Sequence, residues 1–429
     1  MQDSEFIKGL LKFIQASPTP FHAVEQMAMI LDENGFKRLN ESDAWGLEDK
    51  NGKFFVTRND SSIIAFTLGN DPVEHGFRMV GAHTDSPCLK VKPNPEITKN
   101  GYFQLGVEVY GGVLLNPWFD RDLSLAGRVN YVTSDGDVGS VLIDFEQAIA
   151  SIPSLAIHLD PEANEKRIVN KQKDIPPILM KLPEANNSQP DFRDILLQLL
   201  IKQEPELKLE KVLDYELSFY DVQSPAVIGL HQDFVASARL DNLLSCYTEL
   251  MALLKANKKQ NCLLVCNDHE EVGSVSAAGA QGSFLKSVLE RLCSSPEKFS
   301  RSMNQSMMIS VDNAHGIHPN YADRHDDNHG PILNQGPVIK INANQRYASN
   351  SETSAAFRYI CEEADIPVQS FVVRSDMACG STIGPITASE LGVRAIDVGV
   401  PTFAMHSIRE LAGRWDAFYL YRALREYFQ

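Results

Sequence analysis

Hydrophobic positions along this chain follow two different periods. Over Glu5–Gln15 and Ala23–Asn34, apolar residues recur every three to four positions, which predicts two amphipathic helices. Phe54–Thr57, Ile63–Thr67 and Phe77–Ala82 are short, nearly continuous apolar runs of the kind that form buried strands. The same rhythm returns from about residue 235. It predicts a helix over Leu243–Lys255, a strand at Cys262–Cys266, a helix near Ser283–Cys293 and a strand at Met307–Val311. Beyond these come a helix at Glu352–Ala364, strands at Ser370–Val373 and Ala395–Val398, and a last helix near Ile408–Tyr427. All-apolar strands separated by amphipathic helices indicate an α/β fold whose central sheet is covered on both faces.

The middle of the chain has another texture. GYFQLGVEVYGGVLL and GRVNYVTSDGDVGSVLIDF alternate with period two, and SDGD between apolar runs signals a hairpin turn. A Pro-rich polar stretch ending in PEANNSQP follows, then a helix near Phe192–Lys202. We read residues 96–230 as a β-rich domain inserted into an α/β domain formed by 1–95 and 231–429. No internal repeat or low-complexity tract is evident.

Length and charge narrow the functional classes. At 429 residues the chain exceeds the usual size of one domain. A formal charge of −16 argues against nucleic acid or an anionic membrane as the main partner. Seven scattered cysteines without CxxC pairs suit reduced thiols and a cytoplasmic setting. No apolar stretch approaches the roughly 18–20 residues of a membrane span, and the acidic N-terminus lacks a signal pattern.

Candidate chemistry gathers just beyond the predicted strand ends. HGFRMVGAHTDSP sets His83 and Asp85 after one strand, and CLLVCNDHEE sets Glu270 and Glu271 after another. SMMISVDNAHG does the same for Asp312, and AIDVGVPTFAMHS carries His406 a little further out, while Asp241 opens a helix in SARLDNLLS. The crevice at the carboxyl ends of strands is where open α/β sheets bind ligands. Taken singly, each residue has an ordinary explanation: a hydrogen-bonded loop histidine, an N-cap or turn aspartate, a solvated acidic pair. Taken together, two His, two Asp and one Glu also form a ligand set for two divalent cations bridged by one carboxylate. The second Glu would then be a general acid/base, and Asp85 would orient the His83 ring. The residues alone leave both explanations standing.

Other motifs carry less. SAAGAQGS lacks the GK[ST] of a P-loop, and DHEE is not HExxH. Cys88 has no nucleophile elbow around it and reads as a packed thiol, as do Cys262 and Cys266. HPNYADRHDDNH (318–329) reads as a polar loop.

With these residues assembled, the sequence resembles the aspartyl aminopeptidase family of dinuclear zinc metallopeptidases, as a bacterial member. The resemblance is carried by GAHTDSP (81–87), LAIHLD (155–160), ARLDN (238–242), NDHEEVGS (267–274), VDNAHGIHPNY (311–321), GPVIKINANQRYASN (336–350), SDMACGSTIGP (375–385) and FAMHSIRE (403–410). It implies a central mixed sheet flanked by helices with an inserted β-rich dimerisation domain. It further implies two divalent ions, zinc foremost with cobalt or manganese as alternatives. His83 and Asp312 would hold one ion, Glu271 and His406 the other, with Asp241 bridging and Glu270 as general acid/base. His158 would reach the substrate of a neighbouring subunit, or serve as a metal ligand in a minority assignment; without the resemblance, LAIHL reads as a strand with a core histidine. Asp312, His315, Lys340 and Tyr347 would line the substrate pocket, Lys340 pairing an acidic N-terminal side chain; the plain reading of VIKIN is a solvated strand lysine. The implied assembly is a homododecamer acting on peptides. Alternatives are a broad-specificity aminopeptidase, a dipeptidase, an amide deacylase, or a self-assembling scaffold without activity.

Overall fold

The computed structural model describes residues 2–47, 52–183 and 189–429; most of PEANNSQP therefore lies outside the described residues. The chain divides into two compact units, Met1–Ser86 with Pro225–Met405 and Arg409–Gln429, and Pro87–Ser224 with His406–Ile408.

The first unit is built on a nine-stranded mixed sheet. Its spatial order is Lys37–Arg38, Lys53–Arg58, Ser62–Thr67, Cys262–Asn267, Arg78–His83, Met307–Val311, Arg394–Gly399, Val338–Ile341 and Gln369–Val372. The four central strands, Cys262–Asn267 to Arg394–Gly399, run parallel to their neighbours, and the strands flanking that block are antiparallel to it. Every residue of Cys262–Asn267 is buried, as a strand covered on both faces requires. Successive side chains divide between two cores by the period of two. Cys262, Leu264 and Cys266 join Phe6, Leu250, Phe357 and Tyr421 on one face. Leu263 and Val265 join Phe284, Leu289, Met303 and Ile383 on the other. Gly81 allows this close packing, since a Cβ there would lie 2.2 Å from the Met308 side chain.

Three features of this unit differ from the sequence reading. The segment expected to open the last helix is the strand Glu410–Gly413, and the helix itself is Asp416–Tyr427. That strand pairs with Phe234–Ser237 and Pro401–Phe403 inside a separate five-stranded sheet, so long-range pairing overrides a locally helix-like composition. The helix Pro296–Gln305 was missed although its signals are present: Pro in the first turn and Ser295 Oγ accepting from Lys298 N at 3.3 Å. The helix Ile383–Leu391, ended by Gly392 at φ 67°, was also missed.

The second unit holds a six-stranded antiparallel sheet in the order Val138–Asp144, Leu123–Thr133, Leu209–Asp221, Cys88–Lys99, Tyr102–Tyr110, Ile178–Lys181. The SDGD turn joins the first two of these in space, with Gly136 at φ 89°. Its core of Leu89, Phe103, Trp118, Leu125, Phe219 and others is covered by the helix Phe192–Gln203 through Phe192, Leu196 and Leu200. This unit starts at Pro87 rather than 96, because Cys88–Lys99 is one continuous strand paired with Tyr102–Tyr110. LAIHL is not a strand. Residues 157–159 form a turn, His158 is exposed, and Leu155, Ile157 and Leu159 are 59%, 48% and 72% exposed. Among the described residues no helix is long and apolar enough to cross a membrane.

Candidate metal centre

Parallel register brings His83, Glu270, Glu271 and Asp312 to one edge of the nine-stranded sheet. Asn267 lies opposite His83, and Ser310 opposite Gly81, so the residues that follow these strands emerge side by side. His83 closes its strand and Asp312 follows Val311. The acidic pair leaves Asn267 through Asp268 and through His269 at φ 63°, which turns the chain so that Glu270–Val272 forms one 3₁₀ turn. Both cysteines of this strand are buried, and burial raises both thiols above their ordinary pKa; neither is a nucleophile.

His83 is 1% exposed. Its Nδ1 lies 3.0 Å from the Asp85 carbonyl oxygen and 3.4 Å from Asp85 Oδ1. A carbonyl only accepts, so Nδ1 carries the hydrogen and Nε2 is the nitrogen available as a ligand. Nε2 faces three carboxylates: Asp241 Oδ1 at 3.5 Å, Asp312 Oδ1 at 3.9 Å and Glu270 Oε2 at 4.0 Å. These separations exceed ordinary hydrogen bonds and approach the ligand-to-ligand edge of about 3.4 Å that zinc bond lengths of 2.0–2.2 Å give in a tetrahedron. The surroundings also call for positive charge. Burial alone would depress the imidazole, yet the neighbouring carboxylates of Asp241, Asp312 and Asp85 and the charge of Glu270 carry its pKa well above the usual value. The donor set therefore fits a divalent cation.

Asp85 does more than orient a ring. Its two carboxylate oxygens accept from the backbone N–H groups of Glu270 and Glu271, each at 3.1 Å. One buried aspartate thus links the histidine to both glutamates. Burial, opposed by His83 and reinforced by Asp312, Asp85 and Asp241, raises Glu270 to about 7. That value is matched to proton transfer near neutrality. His269, by contrast, is turned to Ser276 Oγ at 2.8 Å and is not directed at the cluster.

Asp241 sits inside the helix Leu240–Leu253 with non-helical torsions, φ −85° and ψ 104°, and does not act as its cap. Its N–H donates to Glu410 Oε2 at 2.9 Å and its carbonyl accepts from Ser86 Oγ at 2.6 Å. Asp312 pairs with Lys340, whose Nζ is 3.2 Å from Oδ2 and donates to the Asn313 carbonyl at 3.1 Å. Lys340 is 2% exposed, so it is not the solvated strand lysine that VIKIN suggests. Its Nζ lies 5.1 Å from the centre of the buried Tyr347 ring. Burial pushes the Tyr347 hydroxyl far above its ordinary pKa, so it stays a phenol. His315 stands edge-on to Phe371 at 5.7 Å, and desolvation with the charge of Lys340 holds it below the usual histidine pKa.

Two sets of residues in the first unit each bring their ligand atoms within 4.8 Å of one another: His83, Glu270 and Glu271, and His83, Asp241 and Asp312. His406 has φ 68°, and its Nδ1 lies 3.1 Å from the Gly112 carbonyl, which leaves Nε2 as the ligand nitrogen. His158 belongs to none of these sets. HPNYADRHDDNH is a turn-rich segment in which His329 pairs with Asp326 at 2.6 Å, and it forms no metal cluster among the described residues. Sequence reasoning missed Ser86 and Glu410. Both hold the Asp241 backbone, and backbone-directed contacts between distant segments leave no spacing to read; position inside HTDSP and HSIRE was the only available signal.

The chain is similar to known proteins along nearly its whole length. Residues 13–428 match the profile of the Aminopeptidase I zinc metalloprotease (M18) family. A probable M18 family aminopeptidase 2 of Ectopseudomonas mendocina (strain ymp) is 62% identical over 425 residues, covering 99% of this chain and 98% of the relative. Ape4, solved in complex with Nbr1, superposes with a TM-score of 0.95 at 40% identity, over 99% of this chain and 86% of that one. The mApe1 dodecamer of S. cerevisiae gives a TM-score of 0.84 at 29% identity, over 98% of this chain and 96% of that one. The protein is thus a metallopeptidase and belongs to the M18 family of zinc aminopeptidases.

Proposed function

We propose that the protein removes a single N-terminal Asp or Glu from peptides at a centre of two zinc ions. The observation that carries this reading is the overlap of the ligand sets. His83 takes part in two of them, with Asp241 and Asp312 and with Glu270 and Glu271, and these residues offer more donors than one four-coordinate zinc takes up, which supports two ions. Bound zinc supplies polarisation of the scissile carbonyl and a water acidic enough to deprotonate near neutral pH. Glu270 takes the proton of the attacking water at its carboxylate and returns it to the departing amine. Asp85 keeps Glu270 and Glu271 in register through their amides, and its carbonyl keeps the His83 tautomer fixed.

The acidic preference rests on Lys340. It is a buried ammonium, and when Asp312 is drawn to a cation Lys340 has charge to offer a second carboxylate. His315 and Tyr347 flank that position. The second unit is proposed to mediate self-association into a dodecamer like that of S. cerevisiae mApe1. Supporting this, it exposes Leu155, Ile157, Leu159 and Ile168, the last at 88%, an apolar display that an isolated chain gains nothing by showing to water. His158, within that display, would then serve the substrate of a neighbouring subunit.

Metal analysis joined to a panel of N-terminally varied peptides tests the reading. Two zinc ions per chain are expected, with Asp- and Glu-terminal peptides turned over at least about 10-fold faster than Leu-terminal ones. One ion per chain would remove the two-ion centre. Equal turnover of Leu- and Asp-terminal peptides would remove the acidic preference and favour a broad-specificity aminopeptidase.

A further inference from the structure

A cavity of about 280 Å³ opens beside His315, and neither Lys340 nor Tyr347 lines it. His315 ties it in sequence to the candidate metal site. His315 stands three residues beyond Asp312, on the strand Ala314–His315, which pairs with Pro401–Phe403 just before His406. Its walls include Phe371, Val373, Met377, Ala378, Phe403 and Met405. The volume lies just below the roughly 300 Å³ at which pockets begin to house drug-sized ligands, so it suits one side chain rather than a length of peptide.

The charges at its border do not make it an anion site. Arg374 is forked on Asp376, Nε to Oδ1 at 3.0 Å and Nη2 to Oδ2 at 2.7 Å, and its Nη1 donates to the Asp323 carbonyl. Arg324 is 70% exposed and 3.7 Å from Asp323, so solvent and that carboxylate already screen it. His318, His325 and Thr402 also line it, but they are engaged with the protein. His318 packs on Phe403 at 5.2 Å and its backbone N–H donates to His325 Nε2 at 3.4 Å. Thr402 Oγ1 donates to the Ala314 carbonyl at 3.4 Å, which leaves the apolar side chains as the larger part of the wall.

We propose that this cavity receives the side chain of the residue immediately after the scissile bond and selects apolar residues there. The proposal rests on the reading that the N-terminal side chain is held at Lys340 and Tyr347. With that position taken, His315 links the two: it feels the charge of Lys340 and also lines the apolar cavity. Met377 and Ala378 lie on the exposed wall, where a substitution changes the cavity without opening the core around Phe371.

The test is a peptide series Asp-Xaa with Xaa as Gly, Ala, Leu, Phe and Asp, assayed with the zinc-loaded protein. The expected result is a rise in kcat/KM of at least about 10-fold from Gly to Leu or Phe, with no gain for Asp. Met377→Asp, which adds charge, and Ala378→Trp, which fills volume, should each collapse the Phe-to-Gly ratio, with zinc content and circular dichroism confirming a folded chain. A flat wild-type series would overturn the proposal, as would ratios unmoved in both variants. Variants that shift preference at the N-terminal residue instead would also overturn it. The acidic reading fails separately, in a series that varies the first residue while the second is held constant.

Discussion

At the scale of single residues, the informative contrast is between Glu270 and Glu271. They are adjacent in sequence and their amides share one acceptor, Asp85, yet their carboxylates stand in different company. Glu270 is 4.0 Å from His83 Nε2 and burial raises its pKa to about 7, whereas Glu271, on the proposed reading, would be held ionised as a metal ligand. A ligand needs to be ionised throughout the cycle, whereas a proton carrier needs to change state near working pH. Glu270→Gln is therefore expected to lower kcat by about 10²- to 10⁴-fold, the usual contribution of general acid–base catalysis. Zinc content, measured by atomic absorption, should stay at the wild-type value. Loss of zinc together with activity would make Glu270 a ligand instead, in line with its membership of the set His83, Glu270 and Glu271.

At the scale of elements, the joint between the Glu410–Gly413 strand and the final helix explains both what the sequence hid and what it offered. The central strands were legible because burial on both faces demands unbroken apolar runs, and the candidate ligands beyond them were legible because polar residues stop those runs abruptly. The short five-stranded sheet was not legible. Its strands have two to four residues each, and the pairing that joins Phe234 with Gly413 links segments far apart in sequence. The end of the expected helix near 408 is replaced by a joint centred on Asp416. Its oxygens accept from Asn334 N at 2.6 Å and Gly336 N at 2.8 Å, while Asn334 Oδ1 accepts from Trp415 N at 2.9 Å. Burial raises Asp416 to about 7 despite these two amides. Its folded pKa thus lies above the unfolded value of about 3.9, so the folded state retains a proton that the unfolded chain has lost between those values. Stability from this group falls as pH rises from about 4 and levels off above about 7, a loss of a few kcal/mol at most. Asp416→Asn cannot ionise and offers one acceptor to two donors, costing about 1–3 kcal/mol from the unmet amide. In urea melts the wild type should lead the variant clearly at pH 5, and that lead should shrink by pH 8. A pH-independent gap would show that Asp416 is ionised in the fold throughout.

At the scale of the whole molecule, the question is why a self-contained α/β unit carries a second unit with its own sheet and core. The exposed turn at 157–159 points to an answer. A lone histidine flanked by Ile157 and Leu159 has no use for those neighbours in water, and it belongs to none of the ligand sets of its own chain. If this turn serves an adjoining copy, each active site draws Glu270 from one chain and His158 from another. His158→Ala should then lose about 10²- to 10³-fold in kcat, as removal of one donor to the tetrahedral oxyanion does. Glu270→Gln protein should be nearly inactive for a different reason, and in a shared site the two defects would lie on different chains. Unfolding the two variants together and reassembling them in equal amounts creates sites that combine an intact Glu270 with an intact His158 from the neighbour. Random assembly gives about a quarter of all sites this pairing, so activity should recover toward about a quarter of wild type, well above either parent. Reassembled wild type sets the scale, and native mass spectrometry verifies that both variants share one oligomer. If verified mixed oligomers stay as inactive as the parents, His158 acts within its own chain, and the second unit then needs a reason other than completing its neighbour's site.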